Sequence, residues 1–148
     1  MDANQLLALL GRRADDAAVE EVFVALRTRR RPELDPEDRD SIDDWVLVRK
    51  KGVELGFTDE AYFHVGEKWQ RRRQGTGLLL HQVYFYNKHD DIADFAGSLP
   101  FGLTWSDTRK DVRRKLGKYN STRRSYRTDT WELPEFRMIV SKSAVIPP

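Results

Sequence analysis

Between Leu99 and Gly117 the chain reads Leu-Pro-Phe-Gly-Leu-Thr-Trp-Ser-Asp-Thr-Arg-Lys-Asp-Val-Arg-Arg-Lys-Leu-Gly, and no other stretch constrains the fold as tightly. Pro100 and Gly102 break any preceding strand, Ser106 is a good N-cap with Asp107 in the first turn, and Val112 and Leu116 lie four apart before Gly117. A short, fully punctuated helix is predicted. After a polar, Arg-rich connection come Trp131 and then Phe136-Arg-Met-Ile-Val140, where Phe136, Met138 and Val140 alternate with Arg137 and Ile139 as a strand requires. The unit reads helix, loop, strand, strand.

The first half has the same ingredients. Leu6, Leu7, Leu9 and Leu10 form the apolar face of an opening helix stopped by Gly11, with Arg12 and Arg13 supplying favourable C-terminal charge. Asp15 or Asp16 caps a second helix in which Val19, Val22, Phe23 and Leu26 recur at three- and four-residue spacing. Trp45-Val-Leu-Val-Arg49 has strand propensity, Gly52 turns the chain, and Val53, Leu55 and Phe57 alternate inward. Thr58-Asp59 reads as another turn and Ala61–Val65 as a third strand. Gly66–Gly77 shows no period, whereas Leu78–Tyr86 is the strongest strand pattern in the chain. Its expected core face is Leu79, His81, Val83 and Phe85; Leu80, Gln82, Tyr84 and Tyr86 face the other way.

One plan used twice accounts for this order. Val22 and Leu26 correspond to Val112 and Leu116, Trp45 to Trp131, and Val53/Leu55/Phe57 to Phe136/Met138/Val140, at offsets of 90, 86 and 83 residues. The expected fold is a single α+β domain over 1–148, with one repeat over 1–65 and a second over 78–148. Short helix pairs would pack on one face of a shared antiparallel sheet, leaving the other face for a partner. At 148 residues with 39% hydrophobic content, such a domain can build its own core, and the absence of cysteine excludes disulfides and thiolate metal sites. Met1-Asp-Ala-Asn-Gln lacks a basic n-region and Leu6–Leu10 is too short for a membrane span, so a cytoplasmic protein is expected.

The Leu99–Gly117 helix signature, followed by Trp131 and Phe136-Arg-Met-Ile-Val140, resembles the family containing beta-lactamase inhibitor protein and the small outer-membrane assembly lipoproteins. The tandem order is similar to that of immunity proteins from bacterial polymorphic-toxin and type VI secretion loci. The resemblance implies a non-catalytic protein that binds a cognate toxin and blocks it through the open sheet face and its loops, with no cofactor.

Two candidate surfaces fit that expectation. Glu33, Asp35, Glu37, Asp38, Asp40, Asp43 and Asp44 place seven carboxylates in twelve residues, a solvated loop or a plug for a basic active site. Tyr84, Tyr86 and Leu80, with Tyr62 and His64 on an expected neighbouring strand, would form an exposed aromatic patch, with Trp69 a further candidate contact unless the loop around it covers the patch. A net charge of +2 conceals an asymmetry: residues 1–60 hold ten Lys/Arg against fifteen Asp/Glu, and residues 61–148 hold sixteen against nine. The basic half, with Arg71–Arg73, the cations from Arg109 to Lys118, and Arg123, Arg124 and Arg127 interleaved with Trp105, Tyr119 and Tyr126, offers nucleic-acid binding as the alternative.

Catalytic signals are thin. His64, His81 and His89 have no metal-ligand spacing, Gly75-Thr-Gly77 leads into a strand rather than a helix, and Ser106 has no base near it in sequence. A binding protein is expected rather than an enzyme.

Overall fold

The alternation of Val53, Leu55 and Phe57 predicts a strand with one buried face, and all three side chains are inaccessible to solvent in the computed structural model, which describes residues 1–65 and 77–141. The protein is α+β. It divides into two compact units, Met1–Ser98 and Leu99–Pro148.

The first unit contains α1 (Ala3–Leu7), α2 (Ala17–Ala25), β1 (Asp43–Val48), β2 (Val53–Asp59), α3 (Glu60–Val65) and β3 (Leu78–Phe85), with antiparallel strand order β1-β2-β3. Asp2 and Gln5 cap α1 reciprocally: the Asp2 carboxylate accepts from the Gln5 N–H at 2.9 Å, and the Gln5 amide oxygen accepts from the Asp2 N–H at 2.8 Å. Asp16, not Asp15, caps α2 by accepting from the Ala18 N–H at 2.9 Å. The helix buries Val19, Val22 and Phe23, and the Phe23 ring meets Phe57 of β2 at 5.9 Å between centroids. Two buried phenyl rings, each worth roughly 2–3 kcal/mol of transfer free energy, tie helix to central strand. Gly52 permits the turn between β1 and β2: its φ is +65°, and a Cβ there would lie 2.2 Å from the Ala93 carbonyl oxygen.

The structure departs from several expectations. Thr58-Asp59 is the end of β2, and Ala61–Val65 is helical, because the buried Asp59 carboxylate accepts from the N–H groups of Ala61 at 3.1 Å and Tyr62 at 3.4 Å. A local cap overrides strand propensity. Arg12 and Arg13 do not merely end a helix: Gly11 N–H donates to Leu80 O at 2.7 Å, and Leu80 N–H donates to Arg12 O at 2.9 Å, so this segment pairs with the outer edge of β3. The strongest strand pattern also has a break. Gln82 pairs with Gly56 and Leu80 with Phe57, which leaves His81 as a bulge residue. Leu80 therefore joins the Phe57 face and is 2% exposed, while His81 turns to the opposite face.

The second unit contains α4 (Arg109–Lys115), β4 (Asn120–Arg124), β5 (Thr128–Glu132) and β6 (Arg137–Ser141), in antiparallel order β4-β5-β6. The N-cap of α4 is Thr108, in a capping box with Asp111, rather than Ser106. Asp107 is occupied elsewhere, accepting from Lys115 Nζ at 2.8 Å and from the Thr104 N–H at 2.9 Å. Val112 and Leu116 pack with Trp131 and Leu133, and Phe136, Met138 and Val140 line the same core as their alternation predicts. The described strands thus form two sheets, not one shared sheet. The repeat is not confirmed, because its strand correspondences do not match in sheet position: Trp45 lies on an edge strand and Trp131 on a central one, whereas Val53/Leu55/Phe57 are central and Met138 and Val140 lie on an edge.

Asp129 ties helix to sheet in this unit. Its carboxylate, 4% exposed, accepts from Arg109 Nε at 3.0 Å and from Arg113 Nε at 2.8 Å. Bonds from the two guanidiniums hold the Asp129 carboxyl well below the usual carboxylate range, and Lys115, with the Thr104 amide, holds Asp107 down at about 2. Asp129→Asn is expected to cost about 2–4 kcal/mol in urea unfolding, since two cations lose a buried partner. Because both pKa values are depressed, their stabilisation is complete above the unfolded aspartate value of about 3.9 and drains away as pH falls towards 2. Urea midpoints measured from pH 7 to pH 2 should fall along that limb, and less steeply in the Asn variant.

Candidate functional site

Gly56 sits in the middle of β2 with no side chain, and the Trp45 ring of β1 lies across it; a Cβ at Gly56 would stand 2.3 Å from that ring. This arrangement seeds an aromatic cluster on the sheet face opposite Phe57. Trp45 is 5.5 Å from the His81 ring and 5.5 Å from the Tyr84 ring, and Tyr84 is 6.4 Å from Tyr86. Tyr84 remains 46% exposed. The Tyr86 hydroxyl donates to Glu54 Oε2 at 2.6 Å, and burial together with that carboxylate pushes its pKa up to about 12. Tyr86 is thus a fixed donor and an anchored ring. Burial also pushes the His81 imidazole down from its ordinary value, against the opposing pull of Asp43, and its Nε2 is buried without a hydrogen-bond partner among the described residues.

Asp43 connects this face to the acidic segment, because it alternates with Trp45 along β1. The segment is ordered by its own carboxylates. Asp35 accepts from the Glu37 N–H at 2.9 Å and Asp38 from the Asp40 N–H at 2.9 Å, the short Asx turns that such residues favour. Asp44 is structural, accepting from the Glu33 N–H at 2.9 Å and from Arg30 Nη2 at 3.1 Å. Among the described residues, Glu33, Asp35, Glu37, Asp38, Asp40 and Asp43 have no ion-pair partner, and all six are exposed. Asp43 beside the ring cluster, continuing into a segment of exposed carboxylates, joins a surface that attracts cations to one that offers apolar anchorage.

The structure brings together only part of the expected patch. Tyr84 and Tyr86 belong to it, with Asp43 at its border. Leu80 does not, because the bulge at His81 buries it, and Tyr62 and His64 lie on α3 rather than on a neighbouring strand. Trp69 and Arg71–Arg73 lie outside the described residues. Trp45, Glu54 and His81 are additions. Only Trp45 had a legible signal: an isolated glycine within a strand pattern marks a close approach by another group.

Among the described residues no three His, Asp or Glu side chains are grouped to hold a metal ion, and no helix is long and apolar enough to cross a membrane. Compared with protein-family models, with characterised proteins and with solved structures, the chain matches none. The reading of the site therefore rests on its geometry.

Gly56→Ala tests that geometry. The new methyl group must displace the Trp45 ring, so the near-ultraviolet circular dichroism should lose intensity and urea unfolding should show a loss of about 1–3 kcal/mol. An unchanged spectrum would place Trp45 elsewhere.

Proposed function

We propose that this protein is a cytoplasmic immunity or inhibitor protein, which binds a cognate bacterial toxin domain and occludes its active site. The observation that carries the reading is the Trp45–Tyr84–Tyr86 cluster, with Asp43 at its border leading into a segment of exposed carboxylates that have no ion-pair partner among the described residues. Aromatic anchors that are already packed lose little rotamer freedom on binding, and carboxylates fixed in Asx turns present their charge without reorganisation. Together they favour a partner with a basic surface around an apolar recess. The site geometry asks only for a basic protein partner; that the partner is a toxin is the part of the proposal taken from the resemblance of the Leu99–Gly117 and Phe136–Val140 motifs to inhibitor and immunity proteins.

The mechanism requires no chemistry on the inhibitor. Long-range attraction by Glu37, Asp38, Asp40 and Asp43 speeds encounter, and Tyr84 with Trp45 then slows departure.

The test begins with capture of the partner by the tagged full-length protein at low and high salt. That partner should arrest growth when expressed alone and be rescued by co-expression. Asp38→Asn/Asp40→Asn/Asp43→Asn should slow association roughly tenfold at low salt and flatten its salt dependence, with the fold intact. An Asn oxygen can still accept from the Asp40 N–H, but Asp44 is left out of this variant because its charge also pairs with Arg30. Tyr84→Ala should leave association nearly unchanged and speed dissociation by about 10–30-fold. A harmless partner, or rates that neither variant changes, would contradict the proposal.

A further inference from the structure

The second unit carries the opposite charge, eleven Lys/Arg against five Asp/Glu over residues 99–148. Most of its helix cations are neutralised: Arg109 and Arg113 by Asp129, Arg114 by Asp111 and Lys115 by Asp107. Those of the β4–β5 hairpin are not. Arg123, Arg124 and Arg127 have no carboxylate partner among the described residues, and all three are exposed.

The tip between them is held from behind. Ser125 N–H donates to Thr128 O at 2.8 Å, Thr128 N–H donates to Ser125 Oγ at 3.1 Å, and Arg109 Nη1 donates to Tyr126 O at 2.8 Å. A second bond runs from Arg109 Nη2 to Ser125 O. Arg109 is itself fixed by Asp129, so the turn is braced through a buried carboxylate. Yet the Tyr126 ring, at the end of this braced turn, is 82% exposed. A hydrogen-bonded turn thus presents a bare aromatic ring next in sequence to three exposed arginines without carboxylate partners among the described residues, Arg123 and Arg124 leaving β4 on opposite faces.

We propose that the β4–β5 hairpin is a contact site for single-stranded nucleic acid, in which Tyr126 stacks on one base and Arg123, Arg124 and Arg127 hold the neighbouring phosphates. One exposed ring needs a base already out of its stack, and guanidiniums match phosphate oxygens in bidentate geometry. A paired duplex offers the ring nothing, since its bases are covered. An acidic protein would satisfy the arginines but would not require the ring. The inference rests on the second unit alone, and it stands or falls separately from the partner-binding reading of the first.

Fluorescence anisotropy of a labelled oligothymidylate of about 20 nucleotides, titrated with the full chain from about 50 to 300 mM salt, tests it. Three phosphate contacts give a slope of log affinity against log salt of about −2. Tyr126→Ala should weaken binding about 5–100-fold with the slope unchanged, and Tyr126→Phe should retain it. Arg123→Gln/Arg124→Gln/Arg127→Gln should bring the slope close to zero. All these side chains are exposed, so thermal unfolding should match that of the parent protein. No binding at the lowest salt, a duplex bound as tightly as the single strand, or indifference to loss of the ring would overturn the proposal. Equal competition by polyglutamate would also overturn it, and would reassign the hairpin to an acidic protein.

Discussion

Among the described residues each sheet has three strands, and its buried face is covered by short helices; what the molecule can present to a partner follows from that constraint. In the first unit Phe23 of α2 meets Phe57 of β2, and the alternation of β2 then forces Glu54 and Gly56 to the other side. Trp45 covers Gly56, and Tyr84 and Tyr86 gather around it. The ring cluster is a consequence of the core. A residue inserted before Phe57 would exchange the two faces.

The second unit solves the same problem with fewer apolar residues and more charge. Val112, Leu116, Trp131 and Leu133 make a small core, and the Arg109–Asp129–Arg113 clamp secures α4 to β5 where apolar contact is thin. The clamp has a second effect, since Arg109 reaches beyond Asp129 to the Ser125–Thr128 turn. One buried carboxylate therefore orders both a helix and a hairpin tip. The acidic segment is the exception to a common pattern: Asp15, Asp16, Glu20 and Asp44 in the first unit and Asp107, Asp111 and Asp129 in the second are engaged by cations, whereas most of the Glu33–Asp43 carboxylates face water.

How much of this was readable from residues varies with the physics. The helix α2 and the strands β2 and β6 were legible, because one buried face imposes a period on the side chains. Gly117 and the Val112/Leu116 pair marked the end of α4, but its start was displaced by Asp107, which bonds Thr104 and Lys115 and leaves capping to Thr108. The hairpin strand β4 was hidden because Asn-Ser-Thr-Arg-Arg has no apolar alternation, and it forms by backbone pairing with β5. The helix α3 was hidden because its cause, the Asp59 carboxylate, acts on amides whose own side chains favour strands. At the candidate site, Tyr84, Tyr86 and Asp43 were legible, while the bulge at His81 was not. That single extra residue removed Leu80 from the surface and added the imidazole. The clamp joins residues twenty apart, a separation that no local pattern encodes.

The central claim is that the Trp45–Tyr84–Tyr86 face is where a protein partner sits. Hydroxyl-radical footprinting of the full chain, free and bound to its captured partner, addresses that face directly, since oxidation of each ring reports its own exposure. The account predicts strong protection of Tyr84 and Trp45 in the complex, with Tyr126 oxidised as in the free protein. Unchanged oxidation of Tyr84 and Trp45, with protection confined to the second unit, would contradict it.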